Sequence, residues 1–172
     1  DDWADDARLI ISKLQKEPVI LVGSSMGGWS MLLNAVKNPE LIKGLIGIAA
    51  APDFTEDMLS KLSKNKQNIL FSQGYIEIPS EYNDKPYVIS KKLIDSGKNN
   101  LLLNSSIPIK CPVQLFHGGK DEDVPLENSL KLIEKIESEN IKLTFVKDAN
   151  HQFSRESDLK LIFKAIDEMI SN

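Results

Sequence analysis

The run Pro18-Val19-Ile20-Leu21-Val22-Gly23 leads straight into Gly23-Ser24-Ser25-Met26-Gly27, and helical patterning then continues from about Met26 to Lys37, where Asn38-Pro39 stops it. An apolar run this short and this continuous is a strand buried on both faces, the kind found in a parallel sheet. The same alternation recurs down the chain. Further buried strands are predicted near Gly44 to Ala50, Pro112 to His117 and Ile141 to Val146, with helices over Leu126 to Ile136 and Leu159 to Ile170. Upstream, Trp3, Ala7, Ile10, Ile11 and Leu14 share one helical face, with acids in the first turn and Lys13 and Lys16 near the end, as the helix dipole favours. Strands alternating with helices of this length imply right-handed crossovers, hence a mostly parallel, doubly wound α/β sheet covered on both sides.

The chain of 172 residues falls in the single-domain range, and residues 1–172 are read as one domain. A stretch from about Asp53 to Ser106 breaks the rhythm. It contains a polar helix (Thr55 to Lys64), a Tyr-rich segment (Tyr75, Tyr82, Tyr87) and another helix near Ser90 to Asp95, and it is read as a cap inserted over residues 53–106. With 41% hydrophobic and 27% charged residues, the chain can bury a core, which excludes the disordered class. Its formal net charge of −4 argues against a nucleic-acid partner, since neutralising phosphates takes a basic surface. No apolar run approaches the roughly 20 residues of a membrane span, and one cysteine, Cys111, cannot form an internal disulfide; both features suit a cytoplasmic location.

Gly23-Ser24-Ser25-Met26-Gly27 satisfies G-x-S-x-G between a strand and a helix, the context in which the motif has a mechanism. A sharp strand-to-helix turn forces its tip residue, Ser25, into a strained conformation, and small residues are expected two positions away on each side, where a Cβ would strike backbone. The Ser25 hydroxyl would then stand above the carboxyl edge of the sheet, with the Met26 backbone N–H aimed at a developing oxyanion. A dinucleotide or phosphate loop fits less well: Gly23, Gly27 and Gly28 miss the G-x-G-x-x-G spacing and no P-loop lysine follows.

A serine hydroxyl needs a base, and only His117 and His151 are available. His117 ends a strand and reads as structural, its ring bonded to nearby backbone. His151, in the loop after the last strand, leaves room for an acid between it and Ser25 in the order nucleophile, acid, base. The loop after the third strand offers Asp121, Glu122 and Asp123. Spacing does not choose among them, although a short, inflexible aspartate suits the role better than Glu122. Asp148 is too close to His151 in sequence to orient it from a separate loop. Two distant histidines and one cysteine make a poor metal set, so no metal and no cofactor are expected.

These residues resemble the α/β-hydrolase superfamily. The resemblance rests on Val22 to Trp29, Cys111 to Pro125 and Val146 to His151. Its acid-loop pattern H-G-x-x-D-x-x-V-P implies Asp121 as the triad acid, with Asp123 the minor choice. More narrowly, Ala50 to Asp57 and Ile78 to Tyr82 are similar to bacterial relatives of a mitochondrial acyl-protein (palmitoyl) thioesterase and acyl-glucuronide esterase. The resemblance implies a serine hydrolase acting on a small-molecule ester or acyl thioester through Ser25, Asp121 and His151. The alternatives are a serine peptidase of prolyl-oligopeptidase-like type and an inactive fragment serving as a binding module. In the superfamily, several strands precede the nucleophile strand and a loop among them donates a second oxyanion N–H, whereas one helix precedes Ser25 here. A partial fold lacking its leading strands is therefore expected. Oligomeric state is not legible.

Overall fold

The computed structural model describes residues 2–14, 17–79 and 86–171. In chain order the elements are α1 (Asp2–Leu14), β1 (Val19–Ser24), α2 (Met26–Lys37), β2 (Ile42–Ile48), α3 (Phe54–Lys61), α4 (Lys64–Gln73), β3 (Tyr75–Ile78), β4 (Tyr87–Ser90), α5 (Lys91–Lys98), β5 (Val113–Lys120), α6 (Leu126–Lys135), β6 (Ile141–Asn150) and α7 (Glu156–Ser171). A short 3₁₀ turn, Pro39–Leu41, joins α2 to β2. The chain divides into two compact units, Asp1–Pro52 with Leu102–Asn172, and Asp53–Leu101.

In the first unit β1, β2, β5 and β6 form one sheet in that order, and every pairing is parallel. The register explains why the strands read as unbroken apolar runs. Side chains alternate between faces, and on the inner strands β2 and β5 both faces are covered. Leu45 of β2 and Leu115 of β5 turn towards Met31, Leu32 and Ala35 of α2 and Leu132 of α6. Ile46, Ile48 and Phe116 turn the other way, onto Ile162, Ala165 and Met169 of α7. Leu32, Leu45, Ile46 and Leu132 are fully buried, each worth about 1.5–3 kcal/mol relative to exposure. Leu102 and Leu103 pack on the first of these clusters, which is why residues 102–106, expected within an insertion, fall on the sheet unit.

Helix α1 rests on α2, where the Asn34 side chain donates to the Ala4 carbonyl at 3.0 Å. Among the described residues no helix is long and apolar enough to cross a membrane.

The second unit holds more structure than the sequence pattern indicated. The expected helix over Thr55 to Lys64 stops at Lys61, and α4 starts at Lys64 because the Ser63 hydroxyl caps it, accepting from the Lys66 N–H at 3.3 Å. Gly74, at φ 88°, ends α4. Tyr75 and Tyr87 lie on an antiparallel pair, β3 with β4, whose inward residues Ile76 and Ile89 join Leu70 and Ile94 in a separate small core. Ser90 caps α5, accepting from the Leu93 N–H at 3.1 Å. The third tyrosine of that segment, Tyr82, lies outside the described residues.

Candidate active site

Parallel strands bring their carboxyl ends to one edge of the sheet, and the three predicted side chains leave from that edge: Ser25 after β1, Asp121 after β5 and His151 after β6. The turn from β1 into α2 is as tight as the motif demands. Ser25 has φ 51° and ψ −122°, outside the regions a non-glycine residue normally occupies. Three hydrogen bonds hold it there. Its N–H donates to the Ile48 carbonyl at 2.9 Å, and its own carbonyl accepts from the N–H groups of Gly28 at 2.9 Å and Ala51 at 3.0 Å. Met26 follows as the first residue of α2, so by position its N–H has no acceptor within the helix.

The glycines around the turn differ from expectation in one respect. A Cβ on Gly23 would lie 2.6 Å from the Gly27 carbonyl oxygen and 2.8 Å from Gly28 Cα, so a side chain is excluded there. A Cβ on Gly27 would meet nothing within 4 Å. The second forbidden position is Gly28, where a Cβ would come within 2.5 Å of Ala50 Cβ. The correction has a simple cause: Gly27 turns outward on α2, while Gly28 faces the segment after β2.

Asp121 and His151 meet. The His151 Nδ1 lies 2.9 Å from Asp121 Oδ2 and 3.1 Å from Oδ1. The carboxylate is fully buried, and the imidazole is 20% exposed. Since an ionised carboxylate only accepts, Nδ1 carries the proton and Nε2 keeps its lone pair. Asp121 is itself fixed, with Oδ1 accepting the backbone N–H groups of Asp123 at 3.0 Å and Val124 at 2.9 Å. Asp123 and Glu122 are exposed. Asp148 points its carboxylate at Lys120, with 3.3 Å between Oδ1 and Nζ, rather than at the imidazole. Among the described residues no hydrogen bond joins the Ser25 hydroxyl to His151.

His117 lies under this pair. It is 1% exposed, with Nε2 3.1 Å from the Val124 carbonyl and Nδ1 2.8 Å from Ser129 Oγ. A carbonyl can only accept, so Nε2 carries the proton and Nδ1 accepts from the Ser129 hydroxyl. Its Nε2 is also 3.8 Å from Asp121 Oδ2. Burial pushes the pKa of His117 below the usual 6.5, against a smaller upward pull from Asp121. The unfolded chain therefore binds more protons than the folded one below about pH 6.5, so stability is full above that pH and falls as His117 is forced to protonate. Chemical denaturation between pH 7.5 and 5.5 should therefore show a loss of up to about 1.4 kcal/mol per pH unit from this group. His117→Gln should flatten that slope while lowering overall stability, and an unchanged slope would remove His117 as its source.

Two adjacent glycines explain how acid and base come so close. A Cβ on Gly118 would lie 2.4 Å from the Ala149 carbonyl oxygen, and one on Gly119 2.4 Å from that of Lys147. Strands β5 and β6 press backbone to backbone where the two loops depart. The signal was visible as Gly118-Gly119 directly after His117, yet its purpose could not be read without knowing that β6 is the neighbour.

Asp121, Asp123 and His151 bring possible ligand atoms within 4.8 Å of one another. Both Asp121 oxygens already serve the imidazole or two backbone N–H groups, so a cation would have to displace those bonds. Cys111 lines a cavity of about 320 Å³ with Ala35, Pro39 and Ile42 at the amino end of the strands, opposite Ser25. Burial raises its thiol pKa, which leaves it a poor nucleophile.

Known proteins resemble this chain in sequence and in fold. The model of the prolyl oligopeptidase family matches residues 8–168. The mitochondrial palmitoyl-protein thioesterase ABHD10 of mouse is 37% identical over 169 residues, covering 98% of this chain and 57% of that protein. Its human counterpart is 33% identical over the same length, 55% of that protein. The chain thus spans little more than half the length of these relatives. Among solved structures, a putative hydrolase from Agrobacterium vitis S4 superposes with a TM-score of 0.90 at 36% identity, over 98% of this chain and 67% of that one. Mouse α/β-hydrolase domain-containing protein 10 gives 0.88 at 36% identity, over 98% and 68%.

Proposed function

Because the chain belongs to the prolyl oligopeptidase family of α/β-hydrolases, we propose that it cleaves a carboxylic ester or acyl thioester through an acyl-Ser25 intermediate. The observation that carries this reading is a buried carboxylate–imidazole pair on the same sheet edge as a serine held at positive φ. His151 Nε2 takes the hydroxyl proton as Ser25 Oγ attacks the carbonyl carbon, and Asp121 steadies the imidazolium without accepting its proton. The N–H of Met26, the first residue of α2, donates to the tetrahedral oxygen anion in this reading. Collapse breaks the bond to the alcohol or thiol, which leaves with the proton from His151. Water, deprotonated by the same nitrogen, then releases the acid and restores Ser25.

The preference for esters and thioesters over amides leans on relatives named as thioesterases. No nucleic acid, metal or cofactor enters the proposed reaction. The test is labelling by a fluorophosphonate probe, followed by turnover of p-nitrophenyl esters, acyl thioesters and a peptide amide. Labelling should vanish in Ser25→Ala, and persistence would remove Ser25 as the nucleophile. Cleavage of the amide alone would favour a peptidase. A folded chain inert to the probe and to every substrate would favour a binding module.

A further inference from the structure

The loop that carries His151 is tied at its base by one side chain. Asp158, in the first turn of α7, is fully buried, and both its oxygens are taken by Arg155: Nε donates to Oδ2 and Nη2 to Oδ1, each at 2.7 Å. The Arg155 backbone N–H also donates to Oδ2 at 3.3 Å, the arrangement by which an acid in a helix's first turn caps its start. The guanidinium's third arm goes elsewhere. Nη1 donates to the Asp148 carbonyl at 3.0 Å, near the end of β6.

One planar group therefore spans the gap between the end of β6 and the start of α7, and the residues between them carry the imidazole. Ala149 near the end of β6 and Phe153 in the loop are both buried, Phe153 at φ 49° with its ring 5.7 Å from that of Phe116. A helix cap alone would need only the bonds to Asp158. The bond to Asp148 instead fixes the strand end from which His151 departs, and Lys120, next to Asp121 in sequence, holds the Asp148 carboxylate from the acid's side.

We infer that Arg155 is a positioning residue for His151: by bridging Asp148 and Asp158 it sets the height and tilt of the loop so that Nδ1 stays against the Asp121 carboxylate. The inference rests on the reading of His151 as the general base. Lysine would keep the charge and lose the fork, since three bonds in one plane at fixed angles are a property of guanidinium.

Two measurements on the full chain test it. Long-range proton–nitrogen NMR from the ring C–H groups reports which His151 nitrogen holds the proton, and the second-order rate of fluorophosphonate labelling reports how well the base is placed. In Arg155→Met the Nδ1–H form of His151 should lose its dominance and the labelling rate should fall about 10²-fold. Arg155→Lys should fall between Met and the parent. Asp158→Asn, whose single carbonyl oxygen can still accept from Arg155 Nε and N–H while its NH₂ faces the Nη2 donor, should move in the same direction by less. An unchanged tautomer and labelling rate in Arg155→Met, with only a lower melting temperature, would reduce Arg155 to a helix cap and overturn the inference. Should that variant not fold, Arg155→Lys takes its place, and a parent-like tautomer and rate there would overturn the inference equally. Failure of the hydrolase reading looks different, because Ser25→Ala would then label like the parent while the Arg155 variants still shifted the His151 tautomer.

Discussion

Asp121→Asn should lower turnover about 10⁴-fold while leaving the fold intact. The direction comes from how the carboxylate is held. Oδ1 accepts two backbone N–H groups, from Asp123 and Val124, and an asparagine in its place must put its carbonyl oxygen there, since an amide NH₂ facing two N–H groups would be repelled. Its NH₂ is then forced into the position of Oδ2, 2.9 Å from His151 Nδ1. Nδ1 can keep that bond only by giving up its proton and accepting. The proton moves to Nε2, and the nitrogen that should receive the Ser25 proton is occupied. Steady-state kinetics on an ester substrate, with a thermal melt alongside, checks this. A variant within tenfold of the parent would mean that Asp121 does not govern the imidazole.

The second large effect concerns the turn itself. Gly23→Ala should lower stability by about 3 kcal/mol or more, roughly 10 °C in melting temperature. The contacts a new Cβ would make, at 2.6–2.8 Å, are all with backbone atoms of Gly27 and Gly28, which cannot rotate away as a side-chain tip can. Gly27→Ala, by contrast, enters open space on a helix and should be neutral or slightly stabilising. The pair is informative together, because the motif as a pattern treats both glycines alike. Equal losses at the two positions would mean that the turn is packed differently from the geometry above.

The division between what the sequence disclosed and what it withheld follows the range of the interactions. The strand of Val19 to Ser24 and its turn were legible because strand, turn and helix are consecutive, and local pattern carries them. His117 reads as structural from the strand end expected there; β5 in fact continues to Lys120, and the ring does bond a nearby carbonyl. Spacing left Asp121, Glu122 and Asp123 open, since the choice depends on which oxygen reaches a ring 30 residues later. Only the resemblance singled out Asp121. The α4 helix was missed because its sequence, Lys64 to Gln73, is polar nearly throughout and buries only Leu70 fully. The β3–β4 pair was missed because four-residue strands give too few alternations to stand out. Arg155 and Asp158 lie ahead of the helix expected from Leu159 and carry no motif that would mark them. What distinguishes them is burial of the carboxylate, a property of the folded state alone.

The run Ala49-Ala50-Ala51 reads in sequence as little more than the tail of a strand. In the fold it is the seat on which the proposed nucleophile rests. Ala49, at φ 44°, donates its N–H to the Phe116 carbonyl; Ala50 abuts Gly28; and Ala51 donates to the Ser25 carbonyl. Among the described residues β1 pairs with β2, and the Ser25 backbone bonds Ile48, Gly28 and Ala51. The three alanines thus act as a bearing surface cut to a methyl's thickness. A wider side chain at Ala50 would lift α2 and swing the serine off its axis without touching any residue of the proposed triad. Selection on this chain would register there as tolerance in tenths of an ångström rather than as chemistry.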